Sequence, residues 1–103
     1  MVSFHGNLDT PKAEDAKNIK GKVLVLHGAD DPYVPPEQVS AFAKEMDAAN
    51  VDWQMVTYGE TVHSFTNPAS GSDPTKGVAY NPKADRRSWG AMKQFFAELF
   101  QPK

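Results

Sequence analysis

Val23-Leu24-Val25-Leu26 is the most constraining segment of the chain, four consecutive apolar residues set between Gly21-Lys22 and His27-Gly28. An element with one wet face alternates apolar with polar residues. A continuous apolar run leaves no face for water, which is the pattern of a strand buried on both sides of a parallel sheet. Periodicity alone does not separate such a run from a helix, but four residues is strand length.

The flanking text supplies the rest of an α/β unit. Val2-Ser3-Phe4 reads as a short opening strand ended by His5-Gly6-Asn7, and Leu8 to Gly21 as a polar connector punctuated by Thr10-Pro11, with room for one helical turn. Pro35-Pro36-Glu37 opens a helix, with proline suited to the first turn and Glu37 favourable at the positive end of the dipole. Val39, Phe42, Ala43 and Met46 recur at helical spacing, which leaves Gln38, Lys44, Glu45 and Asp47 for water and Asn50 as the stop. Trp53 to Tyr58 reads as a strand with Trp53, Met55 and Thr57 on one face and Gln54, Val56 and Tyr58 on the other. His63 to Pro82 is a long Gly-, Ser-, Pro- and Asn-rich loop, of the kind that is usually functional or mobile. After the Asn81-Pro82 start signal, Ser88, Trp89, Met92, Phe95, Phe96 and Leu99 form an apolar stripe that serves as core or as an interface. Strand, strand, helix, strand, helix implies an α/β fold of about three parallel strands covered by flanking helices.

Composition narrows the function classes. A chain of 103 residues supports a single domain, and 40% hydrophobic with 23% charged residues is that of a globular protein. A net charge of -2 and the lone basic doublet Arg86-Arg87, read as an exposed helix face, provide no nucleic-acid footprint. The absence of cysteine removes disulfides, thiolate metal sites and a cysteine nucleophile. With neither a membrane-length apolar stretch nor the n- and h-regions of a signal peptide in Met-Val-Ser-Phe-His, a soluble cytoplasmic protein is expected, and no membrane partner.

In parallel α/β sheets, functional groups gather beyond the carboxyl ends of strands. Asp30-Asp31 lies there after the Val23–Leu26 run, and His63 after the Trp53–Tyr58 strand. Adjacent parallel strands would bring a carboxylate and an imidazole to one edge. The carboxylate would fix the imidazole tautomer, and the second ring nitrogen would face a hydroxyl, thiol or water to be activated. In isolation, Asp31 before Pro32 reads as a turn residue and His63 as a loop histidine. His5 and His27 are expected to cap strand ends or bond nearby backbone, and Ser64, Ser70 and Ser72 to be polar loop residues. Metal ligation by Asp30, Asp31 and His63 has no close ligand spacing behind it.

Two segments carry a family resemblance. His27-Gly28-Ala29-Asp30-Asp31-Pro32-Tyr33-Val34-Pro35 resembles the acid turn, and His63-Ser64-Phe65-Thr66-Asn67-Pro68 the histidine turn, of α/β-hydrolases of the dienelactone hydrolase family. Gly77-Val78-Ala79-Tyr80-Asn81-Pro82, followed by Ala84-Asp85-Arg86-Arg87-Ser88-Trp89, resembles the run into that family's final helix, and Val2–Leu8 the strand after its nucleophile helix. The resemblance covers nearly all of this chain and the second half of the family's domain. It implies half of an α/β-hydrolase fold, ester or lactone hydrolysis without metal or organic cofactor, and Asp31, not Asp30, as the acid paired with His63.

The nucleophile segment is not in this sequence. A nucleophile elbow needs Gly-x-Ser/Cys-x-Gly on a tight strand-to-helix turn, and no two glycines here have that spacing. The resemblance assigns the oxyanion donors to the missing half as well; one such donor is worth roughly 3 kcal/mol of barrier. Three expectations follow. The first is a non-catalytic remnant persisting as a small dimeric binding module. The second is an active hydrolase using an unconventional serine or a His63-activated water. The third is half of a split enzyme whose partner chain supplies the nucleophile. Loss of the neighbouring strand would bare one edge of Val2–Phe4 and apolar helix faces, so a homodimer through these surfaces is expected.

Overall fold

The computed structural model describes residues 1–9 and 13–100. Three parallel strands, β1 (Val2–Phe4), β2 (Val23–Gly28) and β3 (Trp53–Tyr58), form one sheet in the order β1-β2-β3. Val2 pairs with Leu24, and Val23 with Trp53 through to Gly28 with Tyr58. The central strand is buried along its whole length, as a run with no polar face requires. It extends two residues beyond the apolar run, through His27 and Gly28, because the β3 ladder continues that far.

A helix covers each face of the sheet. Helix α1 (Pro36–Ala48) packs Phe42 and Met46 on the Val23 and Val25 face, with Val39, Trp53 and Met55 partly buried against them. Helix α2 (Pro82–Leu99) packs Ala84 and Phe95 on the Leu24 and Leu26 face, beside Tyr58 and Phe65. Asn50, at φ 57°, follows the C-cap of α1 and turns the chain toward β3. The Leu8–Gly21 connector contains a 3-10 segment, Ala13–Asn18, whose Ala16 joins the α1-side core; Thr10-Pro11 lies outside the described residues.

One polar assignment from the helical pattern is corrected by the packing. Gln38 does not simply face water: its Oε1 accepts from the Leu8 N–H at 2.8 Å and ties the connector to α1. Asp47 is exposed as expected and also accepts from Trp53 Nε1 at 2.8 Å, which anchors the start of β3. The apolar stripe of α2 divides, with Ser88 and Phe95 buried and Trp89 51% exposed. No helix among the described residues is long and apolar enough to cross a membrane.

Candidate functional site

The carboxyl ends of the strands turn into the two segments singled out in the sequence. After β2, the Asp31 N–H donates to the Gly28 carbonyl at 3.2 Å and the Val34 N–H to the Asp31 carbonyl at 3.3 Å, which closes a tight turn. The Asp31 carboxylate is entirely buried, a costly placement unless its oxygens are bonded. Both are: Oδ1 accepts from the Tyr33 N–H at 2.9 Å, and Oδ2 lies 2.9 Å from His63 Nδ1. An ionised carboxylate only accepts, so beside it Nδ1 is the donor and Nε2 is the nitrogen left free to face a substrate. Asp30 stays exposed and, among the described residues, bonds only through its backbone.

His63 reaches Asp31 because the segment after β3 is sewn down. Ala29 N–H donates to the Tyr58 carbonyl and Asp30 N–H to the Thr61 carbonyl, joining the acid turn to the chain leading to His63. His63 then forms a parallel bridge with Val78, its N–H donating to Gly77 and its carbonyl accepting from Ala79. The 63–82 loop is therefore extensively bonded, with two 3-10 turns at Pro68–Ser70 and Pro74–Lys76 capped by the Asn67 and Asp73 side chains. Ser64, at φ 64°, turns the chain immediately after the histidine, and its Oγ pairs with that of Ser70.

Two glycines make the close approach feasible. A Cβ on Gly28 would stand 2.6 Å from the Thr61 carbonyl oxygen and 2.9 Å from that of Val62. Gly77, at φ 80°, is held where a Cβ would meet Pro32 Cγ at 2.7 Å. Gly28 contacts the segment leading to His63, and Gly77 brings the stretch paired with His63 against the acid turn. Neither contact was visible in the sequence, where Gly28 was a strand boundary and part of the acid-turn motif and Gly77 part of the run into the last helix.

The His63 side chain is 29% exposed and is flanked by two rings, Tyr33 at 5.1 Å and His5 at 5.6 Å between centroids. The His5 N–H donates to the Leu26 carbonyl at 2.9 Å at the end of β1, as expected of a strand-end histidine, and its ring reaches further, Nε2 pairing with Thr66 Oγ1 at 2.9 Å. Burial, and then the neighbouring His63, hold the His5 imidazole below its ordinary pKa. His27 departs from expectation. It sits inside β2, 4% exposed, with Nδ1 unpartnered among the described residues, and lines a cleft of about 300 Å3 behind Asp31 with Ser40 and Thr57. Burial lowers its pKa against the pull of Asp31. Among the described residues, no three His, Cys, Asp or Glu side chains cluster as metal ligands. Sequence reasoning missed the parts played by Tyr33 and the His5 ring; the position of Tyr33 two residues after Asp31 in the acid turn was the one available signal, and nothing local marked His5.

A parallel sheet with a helix on each face and an Asp–His pair at its carboxyl edge defines this chain as part of an α/β-hydrolase domain. It belongs to the dienelactone hydrolase family, whose profile matches residues 1–100. An uncharacterized protein of Caenorhabditis elegans is 36% identical over 101 residues, covering 97% of this chain and 64% of the relative. Among solved structures, m3DLH superposes with a TM-score of 0.88 at 45% identity, over 97% of this chain and 42% of that one. A dienelactone hydrolase-like promiscuous phosphotriesterase from metagenomic libraries gives 0.86 at 48% identity, over 95% and 41%. The chain thus spans less than two-thirds of the curated relative and about two-fifths of the solved ones.

Proposed function

We propose that this chain supplies the acid and base of a carboxylic-ester or lactone hydrolase site, with Asp31 orienting His63 and His63 Nε2 deprotonating a nucleophilic hydroxyl or thiol carried by other polypeptide. The observation that carries this reading is the 2.9 Å Oδ2–Nδ1 contact on a fully buried carboxylate. A carboxylate removed from water opposes folding unless it is bonded, and here Oδ1 accepts from the Tyr33 N–H while Oδ2 holds the tautomer that leaves Nε2 free to accept. The proton taken from the nucleophile would rest on His63, stabilised by Asp31, and pass to the leaving alkoxide. Family membership supports the reaction class. The phosphotriesterase relative extends the candidate substrates to phosphoesters.

The test is a chimera in which residues 1–100 replace the matching segment of m3DLH, assayed on an activated aryl ester beside its His63→Ala and Asp31→Asn versions. Saturable hydrolysis that His63→Ala abolishes and Asp31→Asn reduces by orders of magnitude is expected. A folded chimera no faster than its His63→Ala version would overturn the reading. Run alone, the 103-residue chain is expected to show no such turnover.

A second reading, a non-catalytic dimeric binding module, is favoured by one observation. Trp89, Phe96 and Phe100 present an exposed apolar stripe along α2 and its C-cap, with Trp89 against Phe4 of β1. A partner chain that supplied the nucleophile would cover the same surfaces as a second copy.

A further inference from the structure

His5 is the imidazole beside the pair that the proposed chemistry does not use. It follows β1 directly with its backbone in the left-handed region, φ 43°, a conformation in which non-glycine residues are uncommon. Its N–H donates to the Leu26 carbonyl at 2.9 Å, which carries the β1–β2 ladder one residue further and sets the ring over the carboxyl edge of the sheet. From there Nε2 pairs with the hydroxyl of Thr66, three residues past His63. The ring also meets His63 edge-on at 5.6 Å and the fully buried Phe65 at 5.1 Å.

These contacts reach the turn that needs support. Ser64 holds a left-handed conformation, a strain that persists only where surrounding structure enforces it. The bonds to Gly77 and Ala79 hold this turn from the loop side. His5 holds it from the sheet side. Burial, and then the neighbouring His63, lower the His5 pKa, which favours the neutral ring that bonds the Thr66 hydroxyl and adds no positive charge to the site.

We infer that His5 is a positioning residue: through Thr66 and its ring contacts with His63 and Phe65 it anchors the histidine turn to the end of β1 and holds the His63 ring in register with Asp31. The inference rests on the reading of Asp31 and His63 as an acid–base pair. Small displacements of such a base carry large kinetic penalties, which gives the anchor its purpose.

The test is solvent exchange of the His63 Nδ1 proton, followed by NMR on the full 15N-labelled chain. His5→Phe and Thr66→Val are each expected to speed its exchange about tenfold, the scale of one lost hydrogen bond, with the amide spectrum otherwise retained. Thr66→Ser, which keeps the hydroxyl, is expected to restore the wild-type rate. His5→Phe stands in a crowded place, so the nearly isosteric Thr66→Val decides the matter if His5→Phe does not fold. Unchanged exchange in Thr66→Val, or in a folded His5→Phe, overturns the inference. Failure of the chimera to hydrolyse esters would remove the functional reading, while the exchange measurement would still decide the anchoring.

Discussion

Asp31 is the residue on which the carboxyl edge is organised. Removing its partner should be felt in stability, because His63→Ala leaves Oδ2 without its bond on a side chain shielded from water. A loss of roughly 1–3 kcal/mol, read as a lower urea midpoint, is expected. Gly28→Ala should cost a similar amount, roughly 1–3 kcal/mol by overpacking, since the added methyl meets carbonyl oxygens of Thr61 and Val62 and not a flexible side-chain end. Unlike His63→Ala, it should also broaden the NMR signals of residues 61–63. The histidines impose a pH dependence of calculable sign. Burial lowers both His5 and His27 from 6.5, so as pH falls through that value the unfolded chain takes up protons that the folded chain refuses. Stability should therefore decline from pH 7.5 to pH 6, above the carboxylate range, and His5→Gln with His27→Gln should flatten that decline in denaturant titrations. Asp31 and His63 were legible as residues because their flanking motifs are specific. His5 and His27 were not, since a histidine at a strand end reads the same whether it bonds backbone, a distant threonine or nothing.

At the scale of elements, α2 shows how one side chain can serve two structures. Asn81 Oδ1 accepts from the Ala84 N–H at 3.0 Å as the helix cap, while Nδ2 donates to Thr61 Oγ1 at 3.2 Å and so ties the helix start to the segment before His63. Asn81→Ala should cost about 1 kcal/mol for the cap, with a drop in Tm of several degrees. Asn81→Asp keeps the cap oxygen, loses the donor, and should fall between. The Asn-Pro signal, the helical periods and the strand run were readable because local geometry dictates them. The bonding within the 63–82 loop was not readable. Its order comes from the His63–Val78 bridge and the close approach of Gly77 to Pro32, contacts between residues far apart in sequence.

At the scale of the whole molecule, the described residues form a sheet covered on two faces, with β1 and β3 as its edges. Phe4 lies against Trp89 at 6.3 Å, and the exposed rings of Phe96 and Phe100 continue the stripe along α2. On the binding-module reading this surface pairs two copies. Sedimentation should then report a dimer for the wild-type chain and a monomer for Trp89→Ser with Phe96→Lys, without loss of helical content. What the sequence determined by itself was the kind of fold: an apolar run with no wet face demands cover on both sides, and helical spacing on either flank of β3 provides it. Which residues meet at the carboxyl edge was decided only in three dimensions. The register of β2 against β3 and two glycines without side chains set how closely the acid turn approaches His63, and neither quantity is local to any stretch of the chain.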